Sequence, residues 1–342
     1  MRVESNVRPS GLRSDLADSA GAVNGDARRA LVLASGLASI PYAGEGCTAQ
    51  LFDTLSTLAA ADLTAARVAE AHLDALAILH QAGRPARPDQ TWGVFAAEGP
   101  GTALTATRTG DRWRLDGTKL WCSLAGLLSH ALVTAHVVGA AGDRGRRLFA
   151  VDLRHPGVTA HDDVWVARGL SEVTSGPVDF VAVTADAVGD QGWYLRRPGF
   201  AWGGIGVAAV WWGGAVGVAR TLYAAAERRP PDQIGLAHLG AVDLAVTGSR
   251  LAIAAAAAAI DAGEADGTAG SLLAARVRGI VARSVDEVIF HVGHALGPAP
   301  LALDARHAQR VADLQLYVRQ HHAERDDAAL GEMLVTRGSA PW

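Results

Sequence analysis

The sequence predicts an α+β fold: an N-terminal helical domain, a middle antiparallel β-barrel or sandwich domain, and a C-terminal four-helix bundle. Two observations predict it. Between residues 89 and 195, short extended runs alternate with Gly, Asp and Pro, which is typical of antiparallel strands. On either side, apolar residues recur at helical spacing over longer segments. The expected boundaries are 1–25 for a flexible tail, 26–88 for the helical domain, 89–195 for the β-domain and 196–335 for the bundle.

The N-terminal domain is expected to consist of helices joined to the sheet by a linker. Three Ala- and Leu-rich stretches have helical spacing, at residues 27–37, 49–60 and 63–79. Asp62 precedes the third stretch and is expected to cap it, because an Asp side chain accepts hydrogen bonds from the free N–H groups of a helix start. His72 lies on or near its apolar face, which favours a packed histidine. Residues 83–90, GRPARPDQ, have the composition of a linker.

The β-domain is centred on residues 113–123, WRLDGTKLWCS. An Asp-Gly pair between runs rich in Trp, Leu and Arg is a hairpin signal, since the turn needs a positive φ that Gly adopts without steric cost. The sequence therefore predicts a turn at Asp116 and Gly117, followed by a second strand that carries Trp121 and Ser123.

The C-terminal domain is expected to contain four long helices. They are predicted at residues 199–229, 238–263, 271–296 and 305–334. Residues 200–219 are long and apolar enough to span a bilayer. Their high Gly content, with Gly213 and Gly217 in a GxxxG pattern, favours instead a closely packed helix of a soluble bundle.

Composition narrows the class of protein. The net charge of −4 comes from interspersed acids and bases, so no nucleic-acid footprint or basic membrane patch is expected. The two cysteines, Cys47 and Cys122, form no CxxC pair, which argues against a disulfide framework or a zinc knuckle. The N-terminus lacks the apolar segment of a secretory signal. A cytoplasmic protein is the expectation.

Two further patterns do not indicate a binding site in this sequence. Gly204-x-Gly206-x-x-Ala209 matches a dinucleotide fingerprint, but helices follow it where the motif requires a βαβ unit. His291 and His294 share a helix face, yet no Glu-x-x-His pairs accompany them as in di-iron bundles. No metal site is expected.

The run W-x-L-D-G-x-K-x-W-x-S, followed by HALVTA, resembles the middle β-domain of the acyl-CoA dehydrogenase family, whose usual pattern is Tyr-x-Leu-Asn-Gly-x-Lys-x-Trp-Ile-Thr/Ser. The helix–β–helix order agrees with this resemblance. It implies FAD as cofactor, with Trp121 against the isoalloxazine edge and the Ser123 hydroxyl near flavin N5 and O4. An aromatic wall shields a reduced flavin, and a hydroxyl donor stabilises negative charge on the ring.

In the bundle the resemblance implies two more FAD contacts. Arg228 retains the arginine that reaches the FAD of a neighbouring subunit, although the Phe-Gly that follows it in the family is replaced by Pro-Pro. Gly293 retains one of two family glycines. Because FAD lies at a subunit interface in this family, a homo-oligomer, dimer or tetramer, is expected. The family's flavin loop is also altered, with Ala97 in place of Thr and no Gly-Ser-Asp.

The catalytic position departs from the family as well. Family dehydrogenases place a Glu about eight residues beyond an Asp, and from Asp313 this count leads to His321. The other family position falls near Val207, in a segment without acids. His321 is therefore the candidate base, since imidazole titrates near neutral pH.

Three functions follow as expectations from the resemblance. The first is α,β-dehydrogenation of an acyl thioester such as an acyl-CoA, with FAD as hydride acceptor. The second is a flavin-dependent monooxygenase, suggested by the histidine at the base position. The third is a catalytically degenerate homologue that acts as a structural or heteromeric partner, which the altered loop, the missing Phe-Gly and the missing Glu favour.

Overall fold

The computed structural model describes residues 14–101, 103–139, 145–338 and 340, and it confirms the α+β architecture. Four helices precede the sheet: α1 (Ser14–Gly21), α2 (Ala27–Ser35), α3 (Thr48–Ala61) and α4 (Leu63–Gln81). Asp62 caps α4 as predicted, because its Oδ1 accepts a hydrogen bond from the Ala65 N–H at 2.8 Å. His72 is buried, and its Nδ1 accepts from the Trp92 N–H at 3.2 Å.

The expectation of a flexible tail over residues 1–25 is wrong for its second half. Helix α1 lies there and packs against α3. Its Leu16 and Ala20 are buried, so the segment has an apolar face that the core covers. Residues 1–13 lie outside the described part.

The middle domain is a seven-stranded sheet closed into a barrel. Its strands are β1 (Trp92–Phe95), β2 (Leu104–Thr109), β3 (Arg112–Lys119), β4 (His130–Val137), β5 (Arg146–Asp152), β6 (Val158–Ala160) and β7 (Val178–Val188). The order is β1-β4-β2-β3-β7-β5, β6 pairs with β7, and β4 also pairs with β5, which closes the ring. The β1–β4 and β2–β4 pairs are parallel, so the sheet is mixed rather than wholly antiparallel.

The predicted hairpin turn at Asp116 and Gly117 is wrong, because β3 runs straight through both residues. Gly117 has the expected positive φ, 121°, but it marks a shift of register between β3 and β7. A Cβ on Gly117 would lie 2.3 Å from the Ala103 carbonyl oxygen, which explains the glycine. The turn lies at Gly110 instead, between β2 and β3. Trp121 and Ser123 therefore follow the strand in a loop.

The C-terminal domain begins with α5 (Trp193–Arg196) and the long helices α6 (Pro198–Arg228), α7 (Gln233–Asp261) and α8 (Gly267–Leu296). It continues through α9 (Ala299–Leu303), α10 (Ala305–Tyr317) and α11 (Glu324–Thr336). The fourth predicted segment, 305–334, is thus two helices rather than one. A 3₁₀ turn at Val318–Gln320 and a positive φ of 49° at Ala323 break it.

Two helices, α6 and α7, are long and apolar enough to span a membrane by length and composition alone. In α6, 67% of the most apolar window is buried within the protein, and in α7 33% is. The burial of α6 is that of a core helix, since it packs against α3 and α8.

Close packing of α6 against α3 depends on Gly213. A Cβ there would lie 2.3 Å from the Ser56 carbonyl oxygen and 2.8 Å from the Ala59 Cβ, so Gly213→Ala is expected to destabilise the fold by about 1–3 kcal/mol through overpacking. Gly204→Ala, on the same helix with its nearest neighbour at 3.5 Å, is the control and is expected to be neutral or stabilising. Urea unfolding measures both, and equal stability of the two variants would contradict the packing described.

Candidate active site

The loop after β3 presents an exposed indole beside a polar cluster. Trp121 is 58% exposed, whereas the other tryptophans that the structure describes are buried or half-buried. Its φ of 61° is a left-handed conformation that bulky residues rarely adopt. The neighbouring residues hold the loop against the segment before β7: the Cys122 N–H donates to the Gly176 carbonyl at 3.0 Å, and the Leu124 N–H to the Thr174 carbonyl at 2.7 Å. The loop is therefore fixed while its aromatic side chain faces outward.

The Ser123 hydroxyl connects this loop to α4. Its Oγ accepts a hydrogen bond from Arg67 Nη2 at 3.2 Å and lies 2.8 Å from the Ser175 Oγ. Ser175 donates its own proton to the Val173 carbonyl at 3.0 Å. Because a hydroxyl has one proton to give, Ser123 donates to Ser175 and accepts from Arg67.

A buried charged cluster extends from Arg67. Arg67 Nη1 donates to Glu70 Oε2 at 2.8 Å, and the Tyr317 hydroxyl donates to the same oxygen at 2.9 Å. The Arg67 guanidinium also lies over the Tyr317 ring, 5.5 Å from its centroid. Among the described residues, Glu70 Oε1 has no hydrogen-bond partner. One carboxylate oxygen is thus fixed by two donors while the other remains available.

Glu70 lines a cavity between α4 and α6. The volume is about 50 Å³, and its walls are mostly apolar. Apolar side chains come from Leu51, Phe52, Leu55, Leu73 and Trp202, and polar ones from Glu70, Asp74, Gln81 and Arg197. Arg197 Nη2 lies 3.5 Å from Asp74 Oδ1, and its Nη1 donates to Gln81 Oε1 at 2.9 Å. The cavity is therefore apolar on its sides, with charged groups at one end.

Burial shifts the protonation equilibria of this cluster. Desolvation raises the pKa of the Glu70 carboxyl, and the nearby Asp74 charge adds to that, although the Arg67 charge opposes it. Desolvation likewise raises the pKa of Asp74, against the Arg197 charge. The pKa of Tyr317 is also raised by burial, so its hydroxyl stays protonated and donates to Glu70. A carboxyl group with a raised pKa exchanges protons closer to neutral pH than an exposed one.

The predicted base, His321, lies in the connection between α10 and α11. Its ring is largely buried, and its Nδ1 accepts from the Ala323 N–H at 3.2 Å, which places the proton on Nε2. Nε2 faces Asp326 Oδ2 at 3.7 Å. Desolvation lowers the pKa of His321. The ring nitrogens of His321 thus face groups of its own connection and of α11, whereas Ser123 contacts α4 and the segment before β7. The catalytic role of His321 stays a prediction.

The two predicted FAD contacts of the bundle lie far along their helices. Arg228 is exposed in the last turn of α6. Gly293 lies near the end of α8, where an added Cβ would meet no atom within 4 Å. Both positions are open to a ligand or a second subunit, and both assignments stay predictions.

Lys119, the lysine of the sequence pattern, ties the end of β3 to the altered flavin loop. It is buried, and its Nζ donates to Glu98 Oε1 at 2.7 Å and to Thr134 Oγ1 at 2.9 Å. Glu98 also lies 3.3 Å from His136 Nε2. The carboxylate of this loop is therefore turned towards the barrel.

Sequence reasoning missed the residues that join the loop to the cavity. Arg67, Glu70 and Asp74 occur at positions i, i+3 and i+7 of one helix, so they share a face. The sequence signal for this cluster is a row of charged residues on one face of an otherwise apolar helix. The same pattern is typical of a helix face that is exposed to solvent, so it does not by itself indicate a site.

Comparison with known proteins gives structural relatives only. No family model matches the sequence, and no curated protein does. Three similar solved structures have a TM-score of 0.78 each: FMN-bound TdsC from Paenibacillus sp. A11-2, at 16% identity over 96% of this chain and 97% of that one; methanesulfinate monooxygenase MsuC from Pseudomonas fluorescens, at 20% over 97% and 96%; and butyryl-CoA dehydrogenase from Megasphaera elsdenii, at 16% over 96% and 99%.

These similarities span nearly the whole chain and include all three domains. The resemblance drawn from the hairpin motif is therefore confirmed for the architecture, even though the motif folds as a bulged strand and a loop. The chain has the fold of the acyl-CoA dehydrogenases.

Proposed function

We propose that the protein is a flavin-dependent oxidoreductase that acts on a small substrate bound in the cavity between α4 and α6. The observation that carries this proposal is the hydrogen-bonded chain from Ser123 through Arg67 and Glu70 to Tyr317. It links the loop with the exposed indole to a cavity that contains a carboxyl group with a raised pKa. Flavin-dependent dehydrogenation of a carbon centre needs both a surface for the flavin ring and a group that exchanges protons.

The side chains present at the loop fit the ring of a flavin. Trp121 offers an exposed flat surface, and Arg67 offers N–H groups beyond the two that bind Glu70 and Ser123. The proton of Ser123 is directed to Ser175, so Arg67 is the better donor towards the ring edge. FAD is the form expected from the resemblance, and FMN is the form bound by TdsC.

The protein's own groups then have separate roles. When bound, the flavin supplies two-electron redox chemistry. Glu70 Oε1 exchanges a proton with the substrate, while Arg67 and Tyr317 fix Glu70 through Oε2. The apolar side walls exclude water from the substrate, which strengthens the electrostatic interactions at the charged end.

Cavity size limits the substrate. At about 50 Å³ the cavity is roughly one third of the ~150 Å³ cavity that holds benzene in another protein, so it holds only a few non-hydrogen atoms at the reacting end of a substrate and no long acyl chain. For the dehydrogenation reaction the proposed substrate is therefore a short acyl thioester or a compact acyl-like molecule. The monooxygenase reaction is the second candidate, because the family resemblance aligns His321 with the position where the dehydrogenases have their Glu.

The test uses the purified full-length chain with added FAD or FMN. Absorbance measures flavin uptake, and anaerobic mixing with butyryl-CoA or octanoyl-CoA measures reduction. We expect uptake, and bleaching by the short thioester only. Hydroxylation of a substrate when the reduced protein meets oxygen would instead support the monooxygenase. A colourless protein that takes up neither flavin would overturn both and leave the degenerate homologue.

A further inference from the structure

A second cleft lies at the other end of the barrel from Trp121. Its volume is about 510 Å³, within the range of about 300–1,000 Å³ typical of small-molecule sites. It is lined by the linker between α4 and β1 and by residues of β1, β3, β4, β5 and β7. Arg112 begins β3 at this cleft, whereas Trp121 follows the end of β3, so at about 3.3 Å per residue the two sites lie roughly 20 Å apart.

One wall of this cleft is held by a chain of hydrogen bonds. The Arg87 N–H donates to Gln90 Oε1 at 2.9 Å, which directs the Gln90 amide nitrogen to His130 Nε2 at 3.1 Å. His130 Nδ1 lies 2.8 Å from the Ser129 hydroxyl, which donates to the Thr91 carbonyl. These contacts fix a neutral His130 with its proton on Nδ1, and desolvation lowers its pKa accordingly. The wall is therefore rigid before any ligand arrives.

The polar groups of the cleft are rich in donors. Arg84, Arg87 and Arg112 line it, against the carboxylates of Asp152 and Asp186. Arg84 donates to the Ala187 carbonyl at 2.8 Å, and its Nη2 lies 3.4 Å from Asp186 Oδ2. The Asp186 carboxylate is therefore paired with Arg84.

Two donors at this cleft lack partners. Arg87 uses two nitrogens on Asp89, but Arg112 has no hydrogen-bond or ion-pair partner in the part of the chain that the structure describes. The Trp92 indole, 5% exposed, also lines the cleft, and its Nε1 has no partner among those residues. Three guanidinium groups from two separate segments thus line one cleft, and that of Arg112 has no hydrogen-bond or ion-pair partner among the described residues.

We propose that this cleft binds a phosphate ester of a small cyclic molecule. Arg112 holds the phosphate, because a guanidinium fork matches two phosphate oxygens, and Arg84 adds its remaining N–H groups. A phosphate alone would leave most of the 510 Å³ empty. The wall of Trp92, Gln90 and His130 contacts the rest of the ester. Its accessible aromatic part is the half-buried His130 ring, which lies 4.8 Å from the largely buried Trp92 ring and is tilted by 33° to it.

The test measures binding by titration calorimetry on the full-length chain at constant ionic strength. The probes are ADP, glucose 6-phosphate and inorganic phosphate, with adenosine and glucose as uncharged controls. We expect saturable binding of at least one ester, tighter than that of inorganic phosphate and of its uncharged control. Arg112→Gln is expected to weaken it about tenfold or more, and Arg112→Lys less, because Lys keeps the charge and loses the fork.

Arg108→Gln is the matched control, since Arg108 is an exposed arginine of the same β2–β3 hairpin outside the cleft lining. Circular dichroism checks that each variant is folded, and Arg84→Gln replaces Arg112→Gln if the latter is not. The proposal is overturned by the absence of saturable ester binding, by inorganic phosphate binding as tightly as the esters, or by equal losses in the Arg108 and Arg112 variants. None of these measurements depends on flavin or on turnover.

Discussion

Glu70→Gln in the flavin-loaded protein is expected to lower turnover by about 10²–10⁴-fold, the usual contribution of a positioned acid or base, while flavin content stays unchanged. The glutamine retains an oxygen for Arg67 and Tyr317 but can no longer accept the substrate proton. Steady-state turnover and flavin absorbance measure the two effects separately. Glu264→Gln, an exposed acid between α7 and α8, is the control and should turn over like the unmodified protein.

The pH dependence of kcat/KM tests whether Glu70 acts as the general base. A general base must be deprotonated, and burial raises the pKa of Glu70, so kcat/KM should fall as the pH drops through a value above the ordinary 4.5. Tyr317→Phe removes a donor that favours the carboxylate, so the fall should move to higher pH. If both variants kept the profile of the unmodified protein, Glu70 would not be the proton-exchanging group, even if flavin binds.

Arg197→Met is expected to lower the free energy of unfolding by up to about 3 kcal/mol, because the Asp74 carboxylate, whose side chain is only 23% exposed, loses its cation. Arg197 is almost fully buried, contacts Asp74 and Gln81, and lies over the Tyr194 ring at 5.3 Å from the centroid. Urea unfolding monitored by circular dichroism measures the loss.

The neighbouring Arg196→Met is the matched control, since Arg196 is exposed and donates only to the Gln191 carbonyl. It should change stability by less than about 0.5 kcal/mol. Adding Asp74→Asn to Arg197→Met should recover part of the loss, because the double variant buries no unpaired charge. Equal effects at positions 196 and 197 would show that the charged end of the cavity is not a structural unit.

Local patterns in the sequence were sufficient for the architecture. Helical spacing on both sides of a strand-rich middle predicts three domains, and the Asp62 cap follows from a short-range hydrogen bond. The predicted turn at Asp116 and Gly117 is wrong because of contacts with residues distant in the sequence. Asp116 Oδ1 accepts from the Ala182 N–H of β7, and Gly117 is required by the closeness of Ala103, so the Asp-Gly pair serves strand pairing rather than a turn. Neither contact is visible in the sequence around position 116.

The site was only half predictable for a related reason. A motif indicates a flavin contact for Trp121 and Ser123, which stays a prediction, whereas the surroundings of Arg67, Glu70 and Asp74 depend on which faces of α4 are covered. Periodicity identifies one apolar face, and on a helix at a protein surface the charged face would be solvated. Here α6 and α10 cover that face too, so the charged residues are buried. Burial by elements more than a hundred residues away determines their chemistry.

We propose that the exposed Trp121 indole beside the Arg67–Glu70 cluster is the surface that receives a flavin. The most direct test is the dissociation constant for FAD and FMN of the unmodified protein, Trp121→Ala and Val32→Ala, measured by flavin fluorescence. Val32 is an exposed apolar residue of α2, remote from the loop in sequence and domain. We predict micromolar or tighter binding that Trp121→Ala weakens about tenfold or more, through lost burial and stacking, and that Val32→Ala leaves unchanged. Equal affinity in all three proteins, or no binding in any, would contradict the claim.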